Sequence, residues 1–201
     1  DIIVTIDGKD AVGMPVDEAV NKIRGPQGTK VKLGVVRGQE QLIFDIVRET
    51  ITIASVESKV LDGNIGYIKI SRFAEDTTKL TTAAANDFKA KNINQIVLDV
   101  RSNPGGYLTS AVDVSCLWLK KGQTVLEEKR GGVVIKDYNC QQTGVLNGTK
   151  TVVLINEGSA SASEITAGAL KDNGAATIIG TKSYGKGSVQ EMTNMPGGNI
   201  L

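Results

Sequence analysis

A serine and a lysine that each follow a predicted strand form the most reactive pattern in this sequence. Ser161 precedes Glu164 by three residues, so its hydroxyl would lie beside the free amides of a helix start, which can stabilise an oxyanion. Lys186 stands between Gly185 and Gly187, which let the backbone bend and bring an amine into a closed site. The 201 residues include no histidine, which excludes a Ser-His-Asp triad, a Cys-His dyad and histidine-ligated metals. A hydrolase with this sequence would need another base, and lysine is the obvious choice at neutral pH.

The serine cluster has a second, structural interpretation. Ser161 and Glu164 form a capping box, which would stabilise the helix by about 1 kcal/mol. The two roles are compatible, because a nucleophile can also begin a helix. Ser159 and Ser163 remain alternative nucleophiles on the local pattern alone.

The lysine loop also has alternatives. Residues 180–186 resemble a phosphate-binding loop, but Gly187 stands where the metal-binding Ser or Thr belongs, and residues 188–192 alternate like a strand. Nucleotide binding is therefore not expected. A solvated surface lysine is the other interpretation, since a lysine base must be kept neutral by burial.

A glycine turn lies upstream of both residues. The segment Asn103-Pro104-Gly105-Gly106 follows an apolar strand. It can be a simple turn, or its amides can donate to an oxyanion.

Strands alternate with helices over residues 63–201, which predicts an α/β fold with a mainly parallel or mixed sheet and flanking helices. The apolar patterns predict helices over 75–91, 108–119 and 161–171. They predict strands over 65–70, 95–100, 151–155, 176–180 and 188–192, with edge strands over 124–128 and 133–138.

Residues 1–48 form a separate small α+β module in this interpretation. A strand over 2–6 and a helix over 15–24 precede strands over 30–37 and 41–47. Residues 49–62 are predicted to be a linker.

Net charge and hydropathy bear on two further classes of protein, those that bind nucleic acid and those that span a membrane. A net charge of +1 gives no reason to expect nucleic acid, and no run is long enough to span a membrane. No cofactor or metal site is indicated. Cys116 lies in an apolar run and is interpreted as a small buried hydrophobic residue, with a disulfide to Cys140 as the alternative.

Three motifs that occur in order resemble the signature of the C-terminal processing (tail-specific) serine proteases. They lie at 99–106, 159–165 and 185–190, and residues 1–48 resemble part of the PDZ domain that precedes the protease core in that family. The resemblance implies that Ser161 is the nucleophile, Lys186 the general base and Gln190 its companion. It implies oxyanion donation by the amides of Gly106 and Ala162.

The resemblance also implies a biological setting. Substrates would be unfolded or flexible proteins with apolar C-terminal tails bound through the PDZ groove, in an extracytoplasmic or organelle-lumen compartment. The chain would be truncated at both ends, and an oligomer is compatible with the sequence. The alternative function is a catalytically silent PDZ-containing scaffold.

Overall fold

The computed structural model describes residues 1–50 and 53–188, which fall into two compact units, Asp1–Ile53 and Ala54–Leu201. The predicted strand over 188–192 and Gln190 lie outside the described residues, apart from Ser188. No helix within those described ranges is long and apolar enough to cross a bilayer.

The first unit is an antiparallel sheet with one short helix. Its elements are β1 (Ile2–Ile6), β2 (Lys9–Asp10), α1 (Val16–Ile23), β3 (Lys30–Arg37) and β4 (Glu40–Val47). The strands pair in the order β2-β1-β3-β4. Alternate residues of β3 supply most of the small core, with Ile6 and the inner side of α1. The α+β character predicted for this segment is confirmed; β2, with two residues, is too short for a pattern to predict.

In the part of the second unit that the structure describes, three helices accompany a five-stranded mixed sheet. Its main elements are β5 (Val56–Leu61), β6 (Ile65–Ile70), α2 (Thr77–Ala90), β7 (Gln95–Asp99), α3 (Leu108–Cys116), β10 (Lys150–Ile155), α4 (Ala162–Asp172) and β11 (Ala176–Gly180). The strand order is β11-β10-β7-β6-β5. Four strands run parallel, and β5 pairs antiparallel with β6. The predicted fold class is therefore confirmed.

The helices cover one face of this sheet. Alternate strand residues, among them Ile68, Leu98 and Val153, are fully buried in one core with Phe88 of α2 and Leu170 of α4. This burial follows from the two-residue period of the strands, which sends every second side chain toward the helices. The packing fixes the carboxyl ends of β7 and β10, where the reactive segments begin.

Two of the sequence predictions are wrong in this unit. The segment predicted as a linker contains β5, whose side chains are exposed except for Val56, so it carries little of the apolar alternation that reveals a strand. The predicted edge strands became β8 (Thr124–Arg130) and β9 (Val133–Asn139), which form a separate antiparallel hairpin and no edge of the main sheet.

The interpretation of Cys116 as an unpaired hydrophobic residue is also wrong. Cys116, at the end of α3, forms a disulfide with Cys140, which follows β9. Cys140 is buried although its neighbours in sequence are polar, because the disulfide holds it in the hydrophobic core of this unit. The bond ties the hairpin to the helix that follows the glycine turn.

Loss of this bridge is expected to destabilise the protein by about 3 kcal/mol, because the closed loop of 24 residues gains conformational freedom in the unfolded chain. Urea denaturation of a Cys116→Ser/Cys140→Ser double variant would measure the change. A reducing agent should lower the midpoint of the parent and leave that of the double variant unchanged. Equal midpoints for the two proteins without reductant would contradict the expectation.

Candidate active site

Ser161 lies at the turn between β10 and α4 in a backbone conformation that few residues adopt. It is the N-cap of α4, with φ 53° and ψ −115°. A positive φ in a non-glycine residue costs on the order of 1–3 kcal/mol and persists where the surroundings impose it, often at functional sites. The surroundings here include a hydrogen bond from the backbone N–H of Ser161 to the side-chain oxygen Oε2 of Glu164 at 2.8 Å.

The two neighbouring serines have structural roles. Ser159 Oγ donates to the carbonyl of Val100 at 2.7 Å, and Ser163 Oγ donates to the carbonyl of Asn103 at 2.9 Å. Both residues are fully buried, whereas Ser161 is half-buried and lines a cleft. The geometry therefore favours Ser161 among the three candidates.

The glycine turn packs directly against Ser161. The carbonyl of buried Asn103 accepts hydrogen bonds from Ala160 N–H as well as from Ser163, on either side of Ser161. A Cβ added to Gly105 would lie 2.8 Å from Ser161 Cβ, so only glycine allows this approach. The Asn103 side chain fixes the turn, since its amide donates to Ile70 and its oxygen accepts from Gly105 N–H.

The two predicted oxyanion donors differ in accessibility. Within the ranges that the structure describes, neither the Gly106 nor the Ala162 N–H donates to another protein group. Gly105 N–H is already bonded to Asn103, which favours Gly106 of the paired glycines. Gly106 is exposed at the cleft, but Ala162 is fully buried. Gly106 is therefore the more accessible of the two predicted donors.

A single carboxylate holds Ser161 and the lysine loop together. Glu164 Oε2 accepts hydrogen bonds from the backbone N–H of Ser161 at 2.8 Å and of Lys186 at 2.9 Å. Its other oxygen accepts from Ser183 Oγ at 2.7 Å and from Gly185 N–H at 2.6 Å. The loop after β11 is thus attached to the first turn of α4.

Glu164 is ionised in this environment. Burial opposes its charge, but hydrogen bonds from Ser183, Gly185, Ser161 and Lys186 outweigh that effect and hold the pKa of the carboxyl below its usual value. The sequence revealed Glu164 only as a capping residue. Its contacts with the loop 22 residues later have no local pattern that could have revealed them.

Ser161 and Lys186 line the same cleft, which has a volume of about 650 Å³. Gly106 of the glycine turn and the two residues that follow it, Tyr107 and Leu108, also line the cleft. Residues 126–130 of the β8–β9 hairpin, with Ile135, contribute further lining. The cleft thus brings together the predicted serine, lysine and Gly106.

The expected burial of Lys186 is not found. Lys186 is exposed in the part of the chain that the structure describes. The residues that follow Ser188, including the predicted Gln190, are outside that part. The loop over 181–188 forms no helix, which a phosphate-binding loop would require.

An ion pair between Asp99, the last residue of β7, and Arg101 lies just before the glycine turn in sequence. Arg101 donates twice to buried Asp99, through Nε at 3.0 Å and through an Nη at 2.6 Å, and Tyr67 Oη donates to the same carboxylate at 2.8 Å. Burial opposes the Asp99 charge, but these donors keep the pKa of the carboxyl below its usual value. The sequence motif contained Asp99 and Arg101, but their pairing became evident only in the structure.

A strained serine at a strand-to-helix turn, with a lysine in the same cleft, is an arrangement typical of serine hydrolases that use no histidine. The comparisons with known proteins agree with this class. Peptidase family S41 matches residues 64–201, and the chain belongs to this family.

Its relatives include proteases named for C-terminal processing. The chain is 38% identical over its whole length to a "Probable CtpA-like serine protease" of Staphylococcus haemolyticus and 41% identical over 94% of its length to a "Carboxy-terminal-processing protease" of Bartonella bacilliformis. It covers 40% and 45% of those proteins, so it spans less than half of their length. Among solved structures, a photosystem II D1 C-terminal processing protease superimposes with a TM-score of 0.68 at 26% identity, over 98% of this chain and 55% of that one.

Proposed function

We propose that the protein containing this chain is a serine endopeptidase that hydrolyses peptide bonds through an acyl-enzyme on Ser161, with Lys186 as the general base. The observation that carries the proposal is that the backbone N–H groups of Ser161 and Lys186 both donate to one oxygen of Glu164. The two residues also line the same cleft. Membership of peptidase family S41 supports the same reaction.

In the proposed reaction, neutral Lys186 takes the proton of the Ser161 hydroxyl while its oxygen attacks the scissile carbonyl. The N–H groups of Gly106 and Ala162 stabilise the oxyanion. Lys186 then gives the proton to the leaving amine, and water hydrolyses the ester. Because Lys186 is exposed in this structure, a bound substrate would supply the desolvation that keeps the amine neutral. Gln190 is proposed as the companion of Lys186 in this reaction.

The proposed substrates are unfolded or flexible proteins with apolar C-terminal tails, bound by the first unit acting as a PDZ-like domain. Such domains add a peptide as an extra strand beside a helix. Helix α1 and the segment before it carry exposed aliphatic side chains suited to an apolar tail, Val12 at 70% and Val16 at 77% exposure.

The disulfide supports an extracytoplasmic or organelle-lumen setting for this enzyme. Cys116 and Cys140 are bonded, and such bonds persist mainly in oxidising compartments.

Labelling of the full-length protein by a fluorophosphonate probe, with identification of the modified peptide, would test the proposed nucleophile. We expect one labelled residue, Ser161, and no labelling of a Ser161→Ala variant. The same two proteins would be compared on an unfolded substrate that ends in an apolar tail and on one that ends in two aspartates. We expect cleavage by the parent alone, with preference for the apolar tail. An unlabelled parent that binds the tail without cleaving would instead support a silent scaffold.

A further inference from the structure

We infer that Glu164 is a positioning residue which sets the geometry between Ser161 and Lys186, in addition to capping α4. The inference rests on the proposed function of those two residues. It goes beyond the capping box because the carboxylate binds two segments that are distant in sequence.

The division of contacts between the two carboxylate oxygens is the main evidence. Oε2 bonds the backbone N–H of both Ser161 and Lys186, so the two peptide nitrogens lie within hydrogen-bond distance of one atom. Oε1 bonds Ser183 Oγ and Gly185 N–H and thereby fixes the loop that leads to Lys186. A cap alone would need only the bond to Ser161.

The loop that carries Lys186 has no regular secondary structure in the residues that the structure describes. Residues 181–188 form neither helix nor strand, and Gly185 and Gly187 flank the lysine. Glycines give the backbone many accessible conformations, so a contact with a residue outside the loop is needed to hold it in one of them. The N–H of Tyr184 donates to the backbone carbonyl of Ser159 at 3.0 Å, which anchors the loop two residues before Lys186. Glu164 supplies the anchor at Lys186 itself.

The charge of the carboxylate is part of this role. All four partners are donors, namely three peptide N–H groups and one hydroxyl. An ionised carboxylate accepts on both oxygens, whereas a glutamine side chain presents an NH₂ group on one side. Glu164→Gln therefore keeps the shape of the side chain. Its NH₂ group, however, would face N–H or O–H donors at the position of one of the two carboxylate oxygens.

The test compares Glu164→Gln with Glu157→Gln in the full-length enzyme. Glu157 is a matched control because its exposed carboxylate accepts from Thr181 Oγ1 at 3.0 Å, at the start of the same loop. For Glu164→Gln we expect kcat to fall about 10²-fold with KM within about twofold, since misplacement of reacting groups by about 1 Å costs this much. Glu157→Gln should change neither constant more than about twofold, because its contact lies five residues from Lys186.

Amide hydrogen exchange provides a readout that does not depend on peptidase activity. We expect Gly185 and Lys186 to exchange faster in Glu164→Gln and at the parental rate in Glu157→Gln. Parental kcat and parental exchange in Glu164→Gln would overturn the positioning role. A parent no more active than Ser161→Ala would instead overturn the proposed function, and the exchange data would still report whether Glu164 holds the loop.

Discussion

Replacement of Lys186 by arginine in the full-length protein is expected to lower kcat/KM for peptide hydrolysis by about 10³-fold, the usual contribution of a general base. Arginine retains the positive charge and most of the length of lysine. Its guanidinium stays protonated in any protein environment and cannot accept the serine proton. The loss should fall on kcat, because in the proposed reaction Lys186 acts on the reacting hydroxyl and the substrate tail would bind elsewhere. Steady-state kinetics on an unfolded protein substrate would measure both constants.

Lys182→Arg is the matched control for this experiment. Lys182 is an exposed lysine of the same loop, four residues earlier, and it does not line the cleft. We expect its variant to keep parental kinetics. Full activity of Lys186→Arg would show that the base is another group and would reject the proposed Ser-Lys pair.

Replacement of Gly106 by alanine is expected to destabilise the protein by about 3 kcal/mol or more and to abolish activity in the molecules that fold. Gly106 has φ +141°, which side-chain-bearing residues rarely adopt. An added Cβ would lie 2.0 Å from the carbonyl oxygen of Phe73, an atom of the backbone that cannot move aside alone. That oxygen also accepts the Tyr107 N–H at 2.8 Å, so relief of the clash would break a bond that holds the turn.

Gly168→Ala provides a control of opposite sign. Gly168 lies inside α4, and no atom lies within 4 Å of an added Cβ. Alanine is favoured over glycine within helices by about 1 kcal/mol, so this variant should be slightly more stable than the parent. Urea denaturation of the three full-length proteins would compare them. A Gly106→Ala midpoint equal to that of Gly168→Ala would refute the predicted clash.

The elements that could be predicted from sequence are those with strong local periodicity. Strand β7 has three consecutive apolar residues at its centre, and α4 begins at a capping box, so the predicted bounds of both agree with the structure to within a residue or two. Strand β5 was missed because an edge strand with one buried side chain carries almost no pattern. The β8–β9 pair was recognised as strands, but its separation from the main sheet depends on pairings that no local segment encodes.

The site shows the same division between local and distant information. The order of the three motifs pointed to Ser161, Lys186 and Gly106, and the structure brings these three to one cleft. Glu164 was recognised only for its bond to Ser161, because its other partners are 19 to 22 residues away. The disulfide is only the alternative in the sequence interpretation, because the sequence does not reveal that Cys140 is buried beside the end of α3.

The backbone conformation of Ser161 has a consequence for laboratory evolution. Glycine adopts positive φ without penalty, so Ser161→Gly should relieve strain of about 1 kcal/mol while removing the hydroxyl. A screen that rewards heat resistance alone would therefore enrich a glycine at this position and remove the proposed nucleophile. A selection for greater thermal stability of this protein should therefore also measure peptidase activity, because at Ser161 stability and the proposed activity favour different residues.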